Sequence, residues 1–87
     1  MIVYKYGPLF PGEISTFSML VFPEIIHFGV LNDELYFWAL CEESGEMEDH
    51  SFTIVADGFP VSDDLVYLET CIKENEAWHL FQKEDWT

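Results

Sequence analysis

A chain of 87 residues with 49% hydrophobic and 17% aromatic content has material for one packed core and no room for a second, which excludes bulk disorder and leaves a single domain over residues 1–87. Seventeen Asp and Glu stand against three Lys and no Arg, a formal net charge of −14. Direct nucleic-acid binding is thereby set aside, since phosphate contact needs cations.

In chain order, residues 2–6 (IVYKY) form a short β-rich run with period-2 alternation, ended by Gly7-Pro8 and followed by a loop over residues 7–13. Residues 14–22 (ISTFSMLVF) alternate and then turn wholly apolar, a strand stopped by Pro23. The central pair comes next. Residues 25–31 and 35–41 are strongly apolar, and Asn32-Asp33-Glu34 between them reads as the turn of a β-hairpin, because Asn and Asp tolerate left-handed backbone. The run Leu35 to Leu40 is apolar on both faces, the mark of a strand covered on both sides.

Residues 42–49 (EESGEMED) are expected to be an acidic loop. Residues 51–56 (SFTIVA) form the next strand, and residues 57–64 (DGFPVSDD) are turn chemistry throughout. Two further strands, residues 65–73 and 77–83, meet at Glu74-Asn75-Glu76 as a second hairpin. The rival over residues 62–69 is a short helix capped by Ser62. Residues 84–87 are expected to fray, with Trp86 able to fold back on the body. Six or seven short strands at roughly ten-residue spacing predict an all-β fold, or a β-rich α+β one, built as a small antiparallel sandwich or barrel.

No pattern carries catalysis, so the chain is not expected to be an enzyme. His27, His50 and His79 are far apart in sequence and fit no metal-ligand spacing, and their usual role is a hydrogen-bonded core or edge residue. The acidic loop lacks the order of a calcium loop. There is no nucleophile elbow and no Gly-rich phosphate loop, and no cofactor is expected. Cys41 and Cys71 lie in apolar runs. With no signal peptide and no twenty-residue apolar span they read as reduced thiols of a cytosolic protein without membrane association, although two strands placed face to face would also permit a disulfide.

The acids invite three bland explanations: solubility, salt adaptation and an acidic tail. Salt adaptation sits poorly with so many large aromatics, and a tail sits poorly with charges on every connector. Against solubility stands a basic partner. Carboxylates on one strand face recur every 6.6–6.8 Å or so, and duplex DNA carries a charge about every 1.7 Å of axis, so acids on strand edges and loop tips can imitate a line of phosphates. The candidate partner-binding strip is Glu42, Glu43, Glu46, Glu48 and Asp49, joined by Asp57, Asp63, Asp64, Glu69, Glu74 and Glu76. Fifteen aromatics exceed what so small a core hides, which offers Tyr4, Tyr6, Phe10, Phe59, Trp78 and Trp86 to an interface and leaves room for a homodimer.

The segments IVYKY (2–6), LYFWAL (35–40), FTIVADGFPV (52–61), YLET (67–70) and WHLF (78–81) resemble a family of small uncharacterised bacteriophage proteins. The resemblance spans nearly the whole chain, through motifs that are structural. It departs at Asp57-Gly58-Phe59-Pro60, where that family often carries T-G-H-P, so a role for that histidine does not transfer. The resemblance implies a phage origin and action in the cytoplasm of a bacterial host. Joined to the charge, it implies an inhibitor that mimics DNA and blocks a host DNA-binding protein, with a histone-like nucleoid protein favoured over a restriction enzyme, a CRISPR effector or RNA polymerase. The competing expectation is a structural or accessory phage protein whose acidity serves solubility alone.

Overall fold

A computed structural model describes residues 1–20, 23–43 and 45–84. Among them are seven strands and no helix: β1 (Ile2–Leu9), β2 (Ser15–Leu20), β3 (Glu24–Leu31), β4 (Glu34–Cys41), β5 (Met47–Ala56), β6 (Leu65–Lys73) and β7 (Glu76–Lys83). They form two antiparallel sheets, one ordered β1-β4-β3 and the other β2-β5-β7-β6. The sheets do not close on each other, so the architecture is a sandwich rather than a barrel.

Alternation along the strands decides what goes inside. In β4, Leu35, Phe37, Ala39 and Cys41 are buried while Tyr36, Trp38 and Leu40 between them are only half-buried. From the facing sheet come Met19, Phe52, Ile54 and Leu80. The centre is aromatic: the Phe37 ring lies 4.5 Å from Phe52 across the layers, 5.3 Å from Tyr6 and 5.8 Å from Phe17. Among the described residues no layer covers the second face of β4, contrary to the expectation from its doubly apolar sequence. Its aromatics instead pack against neighbours on the same face. Tyr36 fills the space over Gly7, His27 lies over Gly29, and Trp38 packs 5.4 Å from His27. Rings laid over strand glycines supply the packing that the missing side chains cannot.

Both predicted hairpins are present. Asn32 and Asp33 have φ of 51° and 65°, and Glu74 and Asn75 have 52° and 64°, so each turn places two residues at positive φ, the geometry that matches the twist of paired strands. Asn and Asp accept this readily; Glu74 does so against its preference.

Two further expectations are corrected, and the rival to a third is set aside. Strand β1 does not stop at Gly7-Pro8 but continues to Leu9, with a register shift between Tyr6 and Leu9. An edge strand can absorb a proline, which removes one donor that need not be paired. The loop expected over residues 42–49 ends early, since β5 begins at Met47 and pairs Glu48 with Met19 and Asp49 with Ser18; pairing with β2 overrides the low strand preference of the acids. The helix alternative over residues 62–69 is absent: the Leu65 N–H donates to the Ser62 carbonyl in a turn, and β6 starts there. The expectation for Trp86 lies outside the described residues.

Candidate acidic interface and neighbouring sites

The strand directions sort the connectors into two ends of the sandwich. Connection 42–46, the start of β5 and the start of β6 lie at one end, the loop end. The two hairpin turns, connection 10–14 and the end of β5 lie at the other, the turn end; there Lys73 Nζ of β6 comes 3.4 Å from Asp33 Oδ1 of the β3–β4 turn. The predicted acidic strip is therefore divided. Glu42, Glu43, Glu46, Glu48, Asp49, Asp63 and Asp64 belong to the loop end; Asp57, Glu74 and Glu76 belong to the turn end, beside Asp33 and Glu34. Glu69 stands apart, half-buried in β6 opposite Leu80. Burial and, after it, the Glu69 carboxylate push the Cys71 thiol up from its ordinary range. The other ten predicted acids are exposed.

Internal cations answer few of them. The terminal amine lies 3.4 Å from Glu43 Oε1, and Lys73 reaches Glu74 at 3.7 Å as well as Asp33. His79 Nε2 lies 2.7 Å from Asp57 Oδ1. His50 Nε2 sits 3.0 Å from Glu48 Oε1 and has no hydrogen-bond partner among the described residues. Among the described residues, Glu42, Glu46, Asp49, Asp63, Asp64 and Glu76 meet no cation within ion-pair distance.

Two features were not foreseen. On the open face of the four-stranded sheet, polar side chains form a chain from Tyr67 Oη through Thr70 Oγ1 (2.7 Å) to His79 Nδ1 (2.8 Å), and from His79 Nε2 to Asp57 (2.7 Å). One assignment satisfies every partner: Tyr67 donates to Thr70, Thr70 to Nδ1, and the Nε2–H to the carboxylate. The chain fastens Asp57, and with it the start of connection 57–64, to the sheet. Sequence could have found part of it, because a two-residue turn at Glu74-Asn75 sets Thr70 opposite His79.

The second is a groove of about 530 Å³ at the turn end, flanked by connections 10–14 and 57–64 and lined mainly by Pro11, Ile14, Ile54, Ala56, Phe59 and Trp78. Glu76 is its one charged lining residue. Among the aromatics expected at an interface, Tyr4, Phe10 and Phe59 are exposed, whereas Tyr6 and Trp78 pack against the core. Both cysteines are free, Cys41 inside β4 and Cys71 in β6, as the reduced-thiol reading expected. No group of three or more potential metal ligands occurs among the described residues, and no helix there is long and apolar enough to cross a membrane.

A family model, the domain of unknown function DUF7352, matches residues 1–87. The chain belongs to this family. No curated protein and no solved structure matches this DUF7352 member. Its family is uncharacterised, so the functional reading rests on the geometry of the chain itself.

Proposed function

We propose that this DUF7352 protein binds the basic surface of a DNA-binding protein and occupies it in place of DNA. The observation that carries this reading is the state of the carboxylates: ten of the eleven predicted acids are exposed, and six of them have no cation of their own among the described residues. Such groups repel one another in the free protein and gain when Lys and Arg of a partner approach, which favours fast, electrostatically steered association. The turn end adds an apolar groove with Glu76 in its lining, an arrangement suited to a hydrophobic anchor with a cationic flank, as in interfaces with an apolar core and polar rim. A phage origin, a host nucleoid protein as target and action in the bacterial cytoplasm belong to this proposal.

The experiment is affinity capture on the immobilised chain from bacterial lysate, at low and at moderate salt, with duplex DNA as competitor. A basic DNA-binding protein released by salt and displaced by DNA is the expected result. Recovery of no basic protein, or of one indifferent to salt and duplex, would refute the reading and leave the charge as a device for solubility.

A further inference from the structure

Two neighbouring edge strands carry no acid. Of seventeen Asp and Glu only Glu13 falls within the first 23 residues, which contribute β1 and β2, an edge strand of each sheet. The two strands lie on the same side of the sandwich, where the Tyr6 ring packs 5.5 Å from Phe17. Strands β1 and β2 themselves thus carry no acid, and the acids nearest them, Glu43 beside the terminal amine and Glu48 and Asp49 opposite β2, lie toward the loop end.

The four sheet edges are not equally protected. Strands β3 and β6 pack near each other along the opposite side, and each carries a register shift, at Ile25/His27 and at Tyr67/Glu69. Strand β2 is short and presents Ser15, Thr16 and Ser18. Strand β1 has no such device before Gly7-Pro8. Ile2, Val3 and Tyr4 are 38%, 51% and 41% exposed. Ile2 and Tyr4 share the core-side face with Cys41 and Ala39, and Val3 lies on the other face, so apolar side chains stand in solvent on both sides of a backbone edge that no described strand pairs. Natural proteins blunt such edges with charge, proline, bulges or cover, because a long apolar edge is a template for another strand. Here the one charge is Lys5.

We infer that a second copy of this chain covers the edge, β1 pairing antiparallel with β1 of its partner to make one sheet of six strands. The choice of occupant follows from charge and symmetry. A basic partner would be drawn to the acids at the two ends, not to an acid-free edge with its own lysine. A second copy can meet this protein with least repulsion only at this flank. A two-fold axis near Tyr4 pairs the whole window from Ile2 to Tyr6 and ends where Pro8 has no N–H to give. In that register Lys5 lies opposite Val3 of the other copy, so no like charges face each other directly. The inference stands independently of the proposed function.

Sedimentation of the full chain at tens of micromolar, over a range of salt, tests it. The expected mass is twice 10.2 kDa, with association tightening as salt screens the repulsion between two acidic bodies. Val3→Glu and Val3→Lys should both give monomers with unchanged circular dichroism; the lysine variant lowers the net charge and so separates loss of the edge from general repulsion. Backbone amides of β1 should gain hydrogen-exchange protection with concentration. A wild-type monomer at high salt, a dimer that survives both substitutions, or a dimer whose β1 amides stay unprotected would each overturn the inference.

Discussion

The sharpest test of the electrostatic picture is Lys73. It lies within ion-pair reach of two turn-end carboxylates, 3.4 Å from Asp33 and 3.7 Å from Glu74, and it ties the β3–β4 turn of one sheet to the β6–β7 turn of the other. Its stem also lines a small cleft with Leu9, Phe10, Leu35 and Trp78, so Lys73→Met removes the charge while keeping apolar bulk. Each pair is solvent-exposed on the acid side, which limits it to about 0.2–1 kcal/mol. The repulsion between Asp33 and Glu74, about 0.6 kcal/mol across water at a separation of roughly 7 Å, is present in both proteins and cancels in the comparison. Two such pairs predict a loss of about 0.4–2 kcal/mol at low ionic strength, a fall in Tm of roughly 2–15 °C for a domain of this size. Between ~0.01 M and ~1 M NaCl the Debye length drops from about 30 Å to about 3 Å, and the loss should shrink below ~0.5 kcal/mol. Thermal melts of wild type and Lys73→Met at the two salt concentrations make the comparison. Adding Asp33→Asn to the Lys73→Met background should restore part of the stability at low salt. An equal loss at both salt concentrations would mean that Lys73 acts through packing, and the account of unpaired acids would be wrong.

Other outcomes follow from the same geometry. Glu42→Gln, Glu46→Gln and Asp49→Asn together change the net charge from −14 to −11; the triple variant should melt slightly higher than wild type at low salt and bind the captured partner at least ~10-fold more weakly, at about 0.5 kcal/mol per lost contact. Phe37→Ala should cost about 3–5 kcal/mol in denaturant titrations, because its fully buried ring touches both layers, and Phe37→Leu distinctly less. Burial, then the neighbouring Cys41, pushes the Tyr6 phenol up from 10.0 to about 12. The folded state therefore holds this proton more tightly than the unfolded chain: the contribution is complete below pH 10.0 and is lost as pH rises through about 12. Phenolate absorbance should show a late step, Tyr6→Phe should remove it, and a late step that survives the substitution would refute the burial argument.

Much of the fold was legible because its local signals agree with its tertiary pairing. Asn32-Asp33 and Asn75 announced two hairpins, and the short apolar runs between turn residues announced the strands. What was not legible depended on partners distant in sequence. The continuation of β1 through Gly7-Pro8 is tolerable only because β1 is an edge, and the strand character of Met47 to Asp49 exists only because β2 lies beside them. For the candidate site, exposure of the acids was readable residue by residue. Their division between two ends was not, since it follows from connection 57–64, which carries the chain from the turn end back to the loop end before β6 begins. The groove is likewise built by segments nearly forty residues apart in sequence, Pro11 to Ile14 and Thr53 to Leu65, and no local pattern could mark it.

Charge placement also separates the two associations by the sign of their salt dependence. Carboxylates at both ends reach for cations, so a partner held there must loosen as salt rises. The flank formed by β1 and β2 offers backbone groups and apolar side chains, and the force opposing its use is repulsion between two bodies of like charge; association there must tighten as salt rises. A two-fold axis near Tyr4 would leave both ends of both copies outside the contact, doubling the acidic surface. If one association loosened and the other tightened across the same salt series, the two surfaces would be shown to be physically distinct. If both moved in the same direction, one of them would have been placed on the wrong face.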